Sequence, residues 1–206
     1  MPRTARVIEV GCPHHVTQRG NNRQTIFFDD QDRNVYLDLL CKYSQECMCL
    51  IHAFCLMENH IHLLVSPQGH SSLSKMMQKM NMTFAQYFNQ KYNRSGHLWQ
   101  SRFYSALIDS HAYLWSACKY IERNPVRANL IFDPLQYEWS SVKINAGLVI
   151  KSFIEPIWHE ERERKGYVEF LMGKDCVEDL NRIEVIRKST CAGKSTGDIE
   201  RGTDPN

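Results

Sequence analysis

The feature that most constrains this chain is a pair of apolar segments, CLIHAFCLM and HIHLLVSP, separated only by Glu58-Asn59. Both are rich in β-branched, aromatic and apolar residues, the second ends at Pro67, and a break this short between such runs predicts a hairpin of adjacent strands. The hairpin sits between two helical patterns. Upstream, from Asp30 to about Glu46, Val35, Leu37, Leu39 and Leu40 recur with Tyr36 and Tyr43 at helical spacing after an acidic start. Downstream, Ser71 to about Tyr92 begins with a serine cap and places Leu73, Met76, Met77, Met80, Phe84, Tyr87 and Phe88 on one face, a stripe that reads as core packing.

Two further strands flank these pieces. The segment HHVTQR, His14 to Arg19, has strand character and stops at the turn-forming trio Gly20-Asn21-Asn22. After a turn at Asn93 to Gly96, the latter part of HLWQSRFYSALID reads as a strand, and HAYLWSACKYIERN reads as a helix stopped near Pro125. The order β-α-β-β-α-β, followed by an extra helix carrying Tyr120, predicts an α+β fold of the ferredoxin-like type, an antiparallel sheet with two helices on one face. One domain over 1–146 and a variable extension over 147–206 are expected, with roughly the last twenty residues too polar to order.

Composition removes some classes. There is no run of about 18 apolar residues and no apolar leader in MPRTARVIEV, so a cytoplasmic protein is expected rather than an exported or membrane one. The eight cysteines form no CxxC pair and read as reduced, buried thiols. The net charge of +2 is uneven. From Ser71 to Arg127 there are eight Lys or Arg against two acids, a local +6, whereas from Val142 onward eleven basic residues meet twelve acidic ones. A polyanion partner for the middle of the chain is consistent with this, as is a solvated basic face.

Two patterns have a chemical reading beside a structural one, in which the histidines are only hydrogen-bonded in the sheet, the tyrosine is packing and the flanking cations are solvated charge. In His60-Ile61-His62, strand alternation sends both imidazoles to one face and Ile61 to the other, so two nitrogen ligands arrive together. A metal would want a third ligand, and nearby only Glu58 and Asn59 are offered. On the last helix Tyr120 and Asn124 stand four apart and share a face, with Lys119 and Arg123 on the adjacent flank and Arg127 beyond. A tyrosine hydroxyl, titrating near 10 in water, attacks a phosphodiester only with cationic help. A metal and basic side chains beside it would supply that help.

Four ordered pieces, HVTQRGNNRQ at 15–24, LMENHIHLLV at 56–65, GHLWQSRF at 96–103 and YIERNPVRANL at 120–130, resemble the single-tyrosine HUH transposases. The resemblance is to their REP-associated tyrosine transposase group within the IS200-like superfamily, and it spans roughly residues 12–140. It implies a metal site at His60 and His62 with Asn124 as third ligand, where insertion-sequence relatives usually carry Gln, and Mg2+ or Mn2+ as the ion. It implies Tyr120 as the nucleophile, forming a 5′-phosphotyrosine and freeing a 3′-hydroxyl. Glu58 stands where the family often has Pro, either a minor departure or a further carboxylate near the metal motif.

The same resemblance assigns single-stranded or hairpin DNA as partner, with no small-molecule substrate and no membrane, and a cytoplasmic, nucleoid-associated location in a bacterium. Arg19, Asn21, Asn22 and Arg23 would read the hairpin or the bases beside it, although turn chemistry alone also accounts for the two asparagines. His97, Trp99 and Arg102 would serve base stacking and phosphate holding, with Trp99 equally readable as core, and Lys119, Arg123 and Arg127 would hold phosphates. His14, His15, His52, His70, His111 and His159 show no pairing pattern. A monomer is favoured over a homodimer. Two other activities fit the same elements: a non-catalytic hairpin-binding regulator, and a phosphodiesterase or RNA-directed nuclease that leaves no covalent adduct.

Overall fold

The computed structural model describes residues 8–150 and 153–174. Its centre is a four-stranded sheet of β1 (His14–Arg19), β2 (Cys49–Met57), β3 (His60–Pro67) and β4 (Tyr104–Leu107), in the order β2-β3-β1-β4 with every pairing antiparallel. With α1 (Asp30–Glu46) between β1 and β2 and α2 (Ser72–Lys91) between β3 and β4, this is the ferredoxin-like arrangement expected from the sequence.

The two faces of the sheet are divided by strand alternation. Val16, Ile61, Leu63 and Val65 face α1 and α2, where they pack with Tyr36, Leu40, Met76, Met80 and Phe84. Leu64, Cys55 and Met57 belong to the opposite face, under α3 (His111–Glu122), whose Ala117, Cys118 and Ile121 cover them. A β-bulge between Ile51 and Ala53 switches the parity of β2, so that Ile51 joins the first core and Ala53 the second.

The helices start for local reasons. Asp29 and Asp32 form a capping box at α1, and Asp32, fully buried, also accepts from Lys91, Tyr87 and Tyr92 of α2 and its C-cap. Burial alone would raise the Asp32 carboxyl, but the Lys91 and Tyr92 donors outweigh it and hold it below its ordinary value. Ser71 is the N-cap residue of α2 but makes no side-chain capping bond, unlike the serine cap expected. At the other end, α3 stops at Glu122 and the chain resumes in a single helical turn, α4 (Asn124–Arg127), with Pro125 in its first positions.

The chain after residue 146, expected to be an extension, is in its described part packed into the same body. Ile154 bridges Ile51 beside β2, and α6 (Glu161–Met172) lies on α3. A short turn, α5 (Val142–Asn145), precedes it. Trp158 stacks on Tyr167 with ring centroids 4.0 Å apart, both essentially without exposure. The expected disorder of the last twenty residues falls outside the described residues. Cys47, Cys49, Cys55 and Cys118 are free and buried, and among the described residues no helix is long and apolar enough to cross a membrane.

Candidate active site

Strand register assembles the site. Thr17 of β1 lies opposite His62 on one side and opposite Tyr104 of β4 on the other, so these side chains share the face that α3 covers. The His60 and His62 rings are 5.0 Å apart, and the Tyr120 ring on α3 meets His62 edge-on at 5.8 Å. Around them is a cleft of about 280 Å3 whose walls include Arg19, His60, His62, Arg102, Tyr120 and Asn124. The histidine pair, the tyrosine and the amide expected from two distant stretches of sequence thus meet in one place.

Hydrogen bonds fix the two imidazoles. His60 Nδ1 lies 2.6 Å from Asn59 Oδ1, an acceptor, so Nδ1 carries the proton and Nε2 the lone pair. Asn59 in turn donates to the carbonyl of Arg23, which ties the metal motif to the loop after β1. His62 Nδ1 lies 2.9 Å from Nε2 of His15, and those two rings stack at 5.1 Å. His15 also meets the Tyr120 ring edge-on at 5.7 Å. Neither the spacing nor the composition of the sequence pointed to His15; the signal available was its place on a strand whose neighbour carries His60 and His62.

The cleft residues could hold a divalent ion. Among the described residues no three His, Cys, Asp or Glu side chains form a metal cluster, so a third protein donor would come from the hydroxyl and amide side chains of the cleft. Asn124 could serve: its Nδ2 donates to the Tyr120 carbonyl at 3.2 Å, which leaves its Oδ1 to face a cation. Two imidazole nitrogens and one oxygen, completed by water or phosphate oxygens, suit a Mn2+ or Mg2+ ion, and the nitrogens tilt the preference to Mn2+. Glu58 takes no part: its carboxylate accepts from Thr25 Oγ1 at 2.7 Å, on the loop side of the hairpin.

The cations expected at the site divide into two groups. Arg127 stays with the tyrosine, its guanidinium carbon 4.0 Å from the Tyr120 ring centroid and its Nη2 donating to the Tyr120 carbonyl. Arg19 and Arg102 line the cleft. Lys119 and Arg123 do not reach it. Lys119 is 6% exposed, lies over the Phe170 ring and donates to the Lys174 carbonyl, while Arg123 donates to the Leu171 carbonyl at 2.7 Å. Helix spacing correctly set them beside Tyr120, but that flank is covered by α6, and they bind carbonyls at its last turn and just past its end.

The remaining expected contacts form a neighbouring surface. Asn21, His97, Trp99 and Arg102 line a second groove that shares Gln100, Ser101 and Arg102 with the cleft. Backbone bonds from Asn21 N to Leu98 O and from Gln100 N to Arg19 O lace the two loops together. Asn22 and Arg23 are exposed beside the groove in left-handed conformations. Trp99 is committed to packing, 5.9 Å from Phe84 with Nε1 donating to the Asn81 carbonyl, which favours the core reading of that residue.

Fold and cleft together define a ferredoxin-like domain in which a strand histidine pair faces a helix-borne tyrosine. The family model described as "Transposase IS200 like" matches residues 9–124, and the chain belongs to that family. Among solved structures it is similar to one described as the REP-associated tyrosine transposase bound to a REP hairpin. That likeness has 18% identity and a TM-score of 0.60 over 77% of this chain and 100% of that one, and it shows a shared fold. A provisionally assigned transposase of Deinococcus radiodurans R1 is 12% identical over 63% of this chain and 95% of its own, at a TM-score of 0.42. No curated protein matches the sequence.

Proposed function

We propose that this transposase-family protein is a metal-dependent endonuclease and strand transferase for single-stranded DNA, acting at hairpin-bearing repeated palindromes through a 5′-phosphotyrosine on Tyr120. The observation that carries the reading is the edge-on contact of Tyr120 with His62 inside one cleft. The hairpin substrate is suggested by the similar solved transposase, which is described with a REP hairpin bound.

In the cleavage step, Tyr120 Oη bonds to phosphorus as the bond from phosphorus to the 3′ oxygen breaks. The phenolic proton passes to solvent, and the departing oxygen takes up a proton as a 3′-hydroxyl. Rejoining runs the reverse with the 3′-hydroxyl of a second strand, and because one phosphodiester replaces another no ATP is consumed. A divalent ion held by His60, His62 and Asn124 would neutralise the non-bridging oxygen and polarise the phosphate. Arg127 against the Tyr120 ring stabilises the charge developing on the phenol, while Arg19 and Arg102 hold the flanking phosphates. Asn21, Asn22, Arg23 and His97 face the hairpin or its adjoining bases. The histidine pair and tyrosine meet within one chain, which supports a monomer working without an exchanged helix. Its place of action is the bacterial nucleoid.

The test mixes the protein with single-stranded oligonucleotides carrying palindromic hairpins from its own genome and Mn2+, and looks for a protein–DNA adduct that survives denaturation. The native protein is expected to form it, and Tyr120→Phe and His62→Ala to lack it. Hairpin binding without an adduct in any metal would instead make the protein a regulator. Cleavage that persists in Tyr120→Phe would remove Tyr120 as nucleophile.

A further inference from the structure

We infer that His15 is a positioning residue for the metal-binding cleft, setting the tautomer and orientation of His62 and backing the ring of Tyr120. This rests on the metal-site reading given above. The geometry is direct: His15 Nε2 is 2.9 Å from His62 Nδ1, the rings are parallel within 15°, and the same imidazole meets Tyr120 edge-on. His15 is 3% exposed and His62 5%, so the bond between them is shielded from competing water.

A histidine ligates a cation through an unprotonated nitrogen, and a partner on its other nitrogen decides which one that is. If His15 Nε2 accepts, His62 Nδ1 carries the proton and Nε2 is the ligating atom. His60 is arranged alike, with its Nδ1 proton given to Asn59 Oδ1. With His15 accepting, both imidazoles of the pair would present Nε2, each held by a different kind of acceptor. The antiparallel register explains why His15 can do this: it sits on the same face as Thr17, one pleat along from the residue opposite His62. Losing such a partner lowers metal affinity about 10–100-fold in comparable sites.

The test titrates Mn2+ into the full chain, following the loss of the free-ion electron paramagnetic resonance signal, with hairpin-DNA binding and circular dichroism measured on the same samples. His15→Leu, which removes the acceptor, is expected to weaken Mn2+ binding by about 10–100-fold while hairpin binding persists. His15→Gln, whose amide oxygen can still accept from Nδ1, is expected to recover most of the affinity. Equal affinity in native protein, His15→Leu and His15→Gln would overturn the inference alone. Failure of the native protein to bind Mn2+ would overturn the metal-site reading and this inference with it. Should His15→Leu not fold, nitrogen-15 NMR of the native metal-free protein decides: the inference requires His62 protonated on Nδ1 and is overturned by protonation on Nε2.

Discussion

Tyr167 Oη donates to Glu122 Oε2 at 2.6 Å, joining α6 to the carboxyl end of the helix that carries Tyr120. The same carboxylate accepts from Ser141 Oγ at 2.6 Å and Asn145 Nδ2 at 2.8 Å, and it is wholly buried. Three donors, two from α5 and its N-cap and one from α6, thus converge on one residue two positions from the proposed nucleophile.

Removing that carboxylate is expected to cost more than removing any one donor. Glu122→Ala removes the shortest acceptor of three buried donors, leaving them the longer contacts to Phe54 O, His52 O and Cys118 Sγ, and is expected to lower stability by about 3 kcal/mol, against about 1–2 kcal/mol for Tyr167→Phe. Urea unfolding of the two variants checks the order. Burial raises the Glu122 pKa above its ordinary value, despite the hydrogen bonds that oppose it. The folded state therefore holds the proton more tightly than the unfolded one, and the stability from this group falls as pH rises through the raised value. Glu122→Gln is expected to flatten that part of the stability profile.

Cutting the chain after residue 146 is expected to damage the fold rather than trim it. The cut removes Ile154, Trp158, Tyr167 and Leu171, all of them in the two cores. At about 1.5–3 kcal/mol for each buried side chain, the loss is comparable with the whole stability of a domain. A fragment 1–146 should aggregate or melt without cooperativity; a melting temperature within a few degrees of the full chain would show that α6 is dispensable.

This dependence marks where the sequence stopped being legible. Strand and helix order could be read because alternation and helical spacing are local, and the face shared by His60 and His62 follows from a period of two. What α6 does could not be read in that way. Its Tyr167 and Leu171 give a short amphipathic pattern among charges, and nothing local says that it covers the Lys119 and Arg123 flank of α3. His15 was missed for a related reason, since its contact with His62 spans 47 residues and is fixed only by the pairing register of β1 with β3. The bulge beside His52 is likewise a property of two strands together.

Gly20→Ala is expected to disturb the junction of the cleft and the Asn21–Arg23 loop proposed to read the hairpin. A Cβ at Gly20 would stand 2.4 Å from the Gln24 carbonyl oxygen and 2.8 Å from Ile26 Cγ2, and the backbone atom cannot swing aside. Gly20 also bridges Trp99 and donates to the Asn59 carbonyl at 2.9 Å. We expect a loss of about 1–3 kcal/mol in thermal unfolding, together with weaker hairpin binding. Unchanged hairpin affinity in a folded Gly20→Ala protein would separate this loop from DNA recognition.

Acid should loosen the fold through two histidines outside the cleft. His14 Nδ1 donates to the Cys12 carbonyl at 2.8 Å while its Nε2 accepts from Glu9 N, and His52 Nδ1 donates to the Glu155 carbonyl at 3.1 Å while its Nε2 accepts from Ser66 Oγ. The His14 arrangement needs a neutral ring, because the Glu9 N–H can only donate, and burial lowers both pKa values below the ordinary 6.5. A base with a depressed folded pKa contributes stability that is complete above its unfolded value and is lost as pH falls through the folded one. The melting temperature is therefore expected to drop as pH falls from 7.5 to 5. His52→Gln, which has no charge to gain, should show a shallower drop because, of these two histidines, only His14 still titrates. A slope identical to that of the native protein would mean that His52 stays neutral in both states or is solvated in both.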